Sequence, residues 1–157
     1  MRLSSMADYA VVTMCAAARH CGGARISAAE LAREAGLPQP TVQKLVSLLV
    51  RARLLRASRG AGGGLQLARP APAISLADIV EAVEGPIALT PCVEGARHDC
   101  AREASCTVRP HWSVVNAALR GALADISLVQ LSAPPGPDMA AVHGPEPVEL
   151  ALQGTAL

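Results

Sequence analysis

Aromatic residues are nearly absent from this sequence, which contains one Trp, one Tyr and no Phe among 157 residues. Hydrophobic residues nevertheless make up 51% of the chain, so the core must be built mainly of Ala, Leu, Val and Ile. Short apolar side chains of this kind favour helices that pack closely against one another. The length suits one compact domain with an added oligomerisation element and argues against a large enzyme core.

Two kinds of hydrophobic segment are also missing. The chain begins MRLSSMADYA, with no charged stretch ahead of an apolar run, and this argues against a secretory signal. No charge-free apolar run reaches the roughly 18 residues of a membrane span. We therefore expect a cytoplasmic protein without a membrane partner. No set of nucleophile, base and orienting residue stands out beyond the cysteine-rich segment, so we do not expect an enzyme.

Charge is unevenly distributed along the chain, although the net charge is only +1. Residues 1–70 contain ten Lys and Arg but three Asp and Glu, whereas residues 71–157 contain four basic and ten acidic residues. A basic amino-terminal part of charge +7 beside an acidic part of charge −6 suggests that the former binds a polyanion such as DNA. The alternative is that two oppositely charged halves of one fold attract each other.

Residues 5–51 follow the pattern of a helix-turn-helix. Apolar residues recur at helical spacing from about Ser5 to His20, and Ser27-Ala-Ala-Glu30 is a capping box that begins a short second helix. Gly36-Leu-Pro-Gln-Pro40 predicts a tight turn, because glycine adopts positive φ readily and the prolines prevent the helix from continuing. A third, amphipathic helix should start near Pro40 and serve as the recognition helix.

Two short strands, at residues 54–58 and 65–69, are predicted after this helix and form a β-wing. The glycine-rich turn Arg59-Gly-Ala-Gly-Gly-Gly64 joins strand to strand and lacks the GxxxxGK[ST] pattern, so it is not a nucleotide-binding loop. Arg59 at the tip suits a narrow minor groove, where the negative potential is strongest. Residues 1–70 are thus predicted to be a winged helix-turn-helix DNA-binding domain.

The second part of the chain, residues 71–131, is predicted to be helical around the cysteine-rich segment. Ser75-Leu-Ala-Asp78 caps one helix, and residues 111–126 carry apolar side chains at helical spacing. We expect this long helix to dimerise, which would place two recognition helices roughly 34 Å apart; the alternative is packing on its own wing domain. Residues 132–157 are rich in Pro and Gly and predict a flexible tail. The fold class is mainly α with a small β-wing.

Three cysteines in a polar segment, Cys92, Cys100 and Cys106, are the strongest chemical signal in the chain. Thiols crowded together in a cytoplasmic protein are more often metal or cluster ligands than disulfide partners. Thiolates select zinc, copper(I) or iron–sulfur clusters, and three of them leave a fourth position for His, Asp or an exogenous group. A zinc site and a metal-free thiol redox switch stay open as alternatives. Cys15 is predicted to be a core residue, and Cys21 to be exposed.

These motifs together resemble the iron–sulfur winged-helix regulator family that includes IscR and NsrR. The resemblance rests on MRLSSMADYAV, the helix-turn-helix, SRGAGGGLQLA, ISLADIVEAVEGP and the three-cysteine segment followed by HW, and it covers about residues 1–131. The run from EGPIALTPC to HW most resembles the branch that regulates the SUF iron–sulfur assembly operon. The resemblance implies a homodimeric, cluster-sensing transcriptional repressor that binds double-stranded operator DNA of iron–sulfur assembly genes.

The resemblance also implies a set of cluster ligands, beginning with the three cysteines. In the IscR-like pattern a His three residues after the last Cys completes a [2Fe–2S] cluster, but Arg109 stands at that position here. In the NsrR-like pattern an Asp early in the first helix of the partner subunit completes a [4Fe–4S] cluster, and Asp8 stands at the matching place. We therefore favour a [4Fe–4S] cluster with Asp8, and keep [2Fe–2S] as the alternative. His111 and His98 are rival ligands.

Operator contacts follow from the same resemblance, which places polar residues at the start of the recognition helix against bases or phosphates. Gln pairs well with adenine, and Lys with guanine or phosphate. The predicted DNA-binding residues are Arg2, Ser27, Gln39, Thr41, Gln43, Lys44, Ser58, Arg59 and Gly60.

Overall fold

Six helices and one two-stranded antiparallel sheet form the part of the chain that the structure, a computed structural model, describes: residues 3–20, 25–60, 62–93 and 96–134. The elements are α1 (Ser5–Ala18), α2 (Ala28–Ala35), α3 (Gln39–Arg51), β1 (Leu55–Ser58), β2 (Gly64–Leu67), α4 (Leu76–Glu84), α5 (Arg109–Ala124) and α6 (Leu128–Ser132). This arrangement confirms the predicted fold class, mainly α with a small β-wing. None of the described helices is long and apolar enough to cross a membrane.

The helix starts that were predicted from capping boxes are present. The Ser27 backbone N–H donates to Glu30 Oε2 over 2.9 Å, and the Glu30 N–H donates back to Ser27 Oγ over 3.2 Å. Ser75 and Asp78 make the same pair of hydrogen bonds at the start of α4. Gly36 ends α2 at φ 66°, as the turn requires. The capping boxes and the helix-ending glycine that the sequence predicts are therefore confirmed by the structure.

The core is aliphatic, as the scarcity of aromatic residues requires. Helix α1 crosses α2, α4 and α6, and its inward face is built of small side chains such as Ala7 and Ala10, both fully buried. Helix α3 adds Leu45 and Leu49, which are also fully buried. The small residues on α1 let neighbouring helices approach closely, and this approach replaces the packing area that aromatic rings would supply.

The wing follows the prediction with ends that differ by one or two residues. β1 and β2 pair in antiparallel register from Leu55↔Leu67 to Ser58↔Gly64. Ile26 forms an additional bridge with Leu65, and the Arg25 guanidinium donates to the Gly62 carbonyl over 2.9 Å. The segment before α2 therefore supports the base of the wing and its tip.

Helix α6 is an element that the sequence analysis did not predict. It starts at a third capping box, formed by Ser127 and Gln130, and its Leu128 is fully buried against the core. Two backbone hydrogen bonds of 2.8 Å, from Leu76 N–H to the Ile126 carbonyl and from Leu128 N–H to the Ile74 carbonyl, fix it beside the start of α4. The predicted tail, residues 132–157, lies outside the described residues from position 135 onward.

Candidate nucleic-acid interface and cysteine segment

Helix α3 presents two different faces, as a recognition helix must. Val42, Leu45 and Leu49 are buried, whereas Gln39, Gln43 and Lys44 are exposed and Thr41 is half-buried. The helix begins after Pro38 without a side-chain cap and has no acidic residue in its first turn. The start of α3 carries the partial positive charge of the helix dipole, which suits a phosphate.

The wing adds exposed cationic side chains next to this face. Arg59 and Gly60 are exposed at the tip, Ser58 is half-buried, and Arg56 is exposed on β1. Six Lys and Arg but no Asp or Glu occur between Glu34 and Asp78. Because no carboxylate interrupts this stretch, α3 and the wing form a surface that favours a polyanion.

Two of the predicted DNA contacts, Ser27 and Arg2, differ from the others. Ser27 is exposed, but its hydroxyl already serves the capping box: it donates to Glu30 Oε2 over 2.7 Å and accepts the Glu30 N–H. These bonds, first from the Ser27 backbone and then from its hydroxyl, hold the pKa of the Glu30 carboxyl below its usual range. The other predicted contact, Arg2, lies outside the described residues.

The predicted cluster ligands lie on the segment between α4 and α5. Cys92 is buried, with 8% of its surface exposed, and the Thr90 hydroxyl oxygen lies 3.3 Å from its Sγ. Cys100 and Cys106 are half-buried, and all three thiols are free. Cys15 is half-buried and packs at the edge of the core, while Cys21 lies outside the described residues.

The three thiols do not converge on one another in the single chain. Among the described residues, no group of three or more His, Cys, Asp and Glu is arranged to hold a metal ion. Asp8 is exposed in the first turn of α1. The donors are of the right chemical kind for an iron–sulfur cluster, since three thiols share one stretch of fifteen residues. Bringing them together requires a rearrangement of this segment.

The rival ligand His98 and the residue that replaces the expected histidine, Arg109, meet on one carboxylate. His98 Nδ1 lies 2.8 Å from Glu103 Oε1, and the Arg109 guanidinium lies 3.1 Å from the same oxygen. His111, the other rival, is exposed in the first turn of α5. Arg109, at the position where the IscR-like pattern has a ligand, thus forms an exposed ion pair with Glu103 of the cysteine segment.

Helix α5 has an apolar surface that nothing in the described chain covers. Val115 is 48% exposed and Trp112, one turn earlier, is 38% exposed. Within the described chain, the element that α5 mainly contacts is α4. The bidentate ion pair of Arg120 with Glu81 joins these two helices, at 2.8 and 3.0 Å, and this hydrogen bonding raises the pKa of Arg120.

Asn116 is a buried polar residue of α5 for which the sequence predicted no role. Its side-chain amide binds the backbone of Ile87 and Leu89, which are 29 and 27 residues away. The sequence shows only a single Asn on a helix with many apolar residues, and this pattern does not identify the backbone groups that the Asn binds.

A recognition helix with exposed Gln39, Gln43 and Lys44, followed by a basic wing, defines a winged-helix DNA-binding protein. The sequence model of the Rrf2 family, described as an iron-dependent transcriptional regulator, matches residues 3–134. The chain belongs to this family. This family consists of transcriptional regulators, and the resemblance to IscR-like regulators is confirmed.

Individual relatives agree with this assignment. The chain is similar to IscR of Cereibacter sphaeroides, with 41% identity over 86 residues that cover 54% of this chain and 56% of that protein. It is also 38% identical over 88 residues to a Mycobacterium tuberculosis protein named as an HTH-type transcriptional regulator, covering 56% of this chain and 55% of the relative. The chain thus spans about half the length of these two relatives.

Solved structures extend the similarity over more of the chain. The structure of CymR, the global cysteine regulator of B. subtilis, has a TM-score of 0.65 at 27% identity and covers 84% of this chain and 96% of CymR. The structure of T. potens IscR has a TM-score of 0.62 at 26% identity and covers 83% of this chain and 85% of that one. One fold is therefore shared by a cysteine regulator and by an IscR.

Proposed function

We propose that this regulator is a homodimer that binds an iron–sulfur cluster and represses iron–sulfur assembly genes by binding their operator DNA. The observation that carries the proposal is the donor set between α4 and α5: three free thiols on fifteen consecutive residues. Similarity to IscR supports the same chemistry.

The fourth donor in this proposal is Asp8 of the partner subunit. Its carboxylate is exposed, and among the described residues it takes part in no ion pair. His98, by contrast, is already paired with Glu103. A carboxylate that is exposed at the start of α1 is free to serve a neighbouring subunit. A [4Fe–4S] cluster suits three thiolates with one such oxygen donor, and a [2Fe–2S] cluster is the alternative.

Dimerisation in this proposal uses α5. Exposed apolar side chains on one helix, Trp112 and Val115 among them, are typical of a helix that packs against a second helix. A two-fold dimer would present two α3 helices to successive major grooves. The apolar surface of α5 supports the homodimer, and the cationic surface of α3 and the wing supports operator binding.

The cluster, when bound, would supply sensitivity to iron supply or oxidants through its own stability. Binding of the cluster depends on residues of the chain itself. The thiols of Cys92, Cys100 and Cys106 must lose their protons to bind iron, and gathering them orders the segment that leads into α5. Because ligand binding and DNA binding are linked, a tenfold change in operator affinity corresponds to a coupling of about 1.4 kcal/mol.

Anaerobic purification followed by iron and sulfide analysis tests the proposal. Wild-type protein should be brown, and Asp8→Ala should lose most of the bound iron because one donor is missing. Asp125→Ala, which removes an exposed carboxylate after α5, is the matched control and should keep its cluster. Loss of the cluster in His111→Ala but not in Asp8→Ala would contradict the assignment of the fourth ligand. A colourless wild type would overturn the iron–sulfur proposal.

A second candidate is a thiol-sensing or zinc-stabilised regulator, favoured by the free thiols and the similarity to the cysteine regulator CymR. Such a protein would be colourless. Zinc would appear in metal analysis as one ion per chain, whereas a thiol switch would change operator affinity with oxidant alone, through dithiol–disulfide exchange.

A further inference from the structure

Asn116 is an exception on α5, because its side chain is buried while those of Val115 and Ala117 beside it are exposed. Its Oδ1 accepts the Leu89 backbone N–H over 2.9 Å, and its Nδ2 donates to the Ile87 carbonyl over 2.9 Å. One amide group thus satisfies two backbone groups of the segment between α4 and Cys92.

The same segment is also bound from the other side, by α4. The Ile87 N–H donates to Glu81 Oε1 over 3.4 Å, and Glu81 is itself fixed by the Arg120 guanidinium of α5. Residues 87–89 therefore have three backbone groups satisfied by side chains from two helices. Cys92 follows three residues later, and Val93 beside it is 1% exposed. The position of the first thiol is thus set by bonds to α4 and α5.

We propose that Asn116 is the positioning residue that couples Cys92 to α5. A thiol that moves to meet a metal or an oxidant must pull on residues 87–89, and the two Asn116 hydrogen bonds transmit that displacement to α5. Coupling between two sites needs such a continuous physical connection. The part of this inference that concerns a bound cluster rests on the proposed function; the positioning of Cys92 does not.

Alkylation of the metal-free, reduced protein tests the positioning. The rate at which a maleimide labels each cysteine is followed by mass spectrometry in wild type and in Asn116→Leu, which keeps the branching of the side chain, with a larger volume, and removes both hydrogen bonds. Cys92 should react at least tenfold faster in the variant, because local opening of the segment no longer has to break the two Asn116 hydrogen bonds. Cys15, on α1, should react at the wild-type rate.

Two further variants separate positioning from general loss of stability. Asn116→Asp keeps the acceptor for the Leu89 N–H and should give a Cys92 labelling rate between those of wild type and Asn116→Leu. If Asn116→Leu does not fold, the labelling rate of Asn116→Asp tests the inference instead. Ser113→Ala changes a neighbouring exposed residue of α5 that makes no hydrogen bond in the described chain, and it should leave the rate unchanged. A wild-type Cys92 rate in a folded Asn116→Leu would overturn the inference.

Operator binding tests the coupling. In wild type the operator Kd should differ between the cluster-loaded and cluster-free protein, whereas in Asn116→Leu the ratio of the two values should fall severalfold towards one. The visible circular dichroism of the cluster should change at the same time. If no cluster forms in any variant but Cys92 is still exposed by Asn116→Leu, the proposed function fails and the positioning role stands. An unchanged ratio in a loaded variant would overturn the coupling.

Discussion

At the residue scale, Thr13 shows that the core tolerates a buried polar group. It is fully buried on α1, and its Oγ1 has no hydrogen-bond partner in the described structure. A buried hydroxyl without a partner costs free energy, because it gives up its bonds to water. The residue is tolerated because Thr has nearly the shape of Val, so its hydroxyl occupies the space of a methyl group and the packing around it is kept.

Thr13→Val is expected to raise the free energy of unfolding by about 1 kcal/mol, since it removes the hydroxyl and keeps the shape. Urea denaturation of the cluster-free protein measures this change. Thr13→Ala also removes the hydroxyl but leaves a cavity, and it should lower stability relative to Thr13→Val. A lower stability of Thr13→Val than of the wild type would show that the hydroxyl has a partner, such as a bound water.

Single residues also show the limit of sequence reasoning. Ser27, Glu30 and Gly36 act within a few positions of one another, so the sequence alone predicts their helix ends correctly. Asn116 acts across 27 and 29 positions, and no local pattern encodes such a contact. The role of Arg109 was likewise hidden, because its partner Glu103 is recognisable only once the segment is folded.

At the scale of elements, the turn of the wing has no room for a single added carbon atom at Gly63. A Cβ on Gly63 would lie 2.5 Å from the Ser58 carbonyl oxygen and 2.8 Å from that of Gly60. Both neighbours are backbone atoms, so the turn must open to accept any side chain. The tight turn is what places Arg59 at the tip of the wing.

Gly63→Ala is expected to weaken operator binding about tenfold, or about 1.4 kcal/mol, by displacing the wing tip. Arg59→Ala should weaken it by a similar factor through the lost charge alone. Gel-shift titration measures both, and the cluster content of both variants should match the wild type. An unchanged operator affinity in Arg59→Ala would contradict the role of the wing.

Elements differed in how well the sequence predicted them. Helix α3 begins one residue before the predicted start, because Pro40 fits the second helical position as well as the first. Helix α6 was missed because five residues are too short for a periodic pattern, although the Ser127-Leu-Val-Gln130 box was present. The path of the cysteine segment depends on ligands and contacts that a single sequence does not specify.

At the scale of the whole molecule, the proposed dimer depends on α5. Val115→Asp places a charge in its exposed apolar surface, and we expect the dimer to dissociate towards the 16.1 kDa monomer. The dimer Kd should rise at least tenfold, about 1.4 kcal/mol. Light scattering after size exclusion measures the mass.

Val115→Leu keeps the surface apolar and is the control; it should remain dimeric. Operator affinity should fall in Val115→Asp although α3 is unchanged, because two half-sites are no longer read together. A dimer of undiminished stability in Val115→Asp would place the subunit interface elsewhere.

The paired backbone bonds that join Ile74 to Leu128 and Leu76 to Ile126 have a consequence for how this molecule can change over evolutionary time. They close a loop of the chain that contains α4, the cysteine segment and α5 and ends at α6. Within this loop, α5 contacts the rest of the described fold mainly through α4, and α4 in turn contacts α1 and α3. Substitutions in the cysteine segment can therefore change its chemistry while the core of α1, α2 and α3 is kept, and α4 is the described route by which such a change reaches the recognition helix.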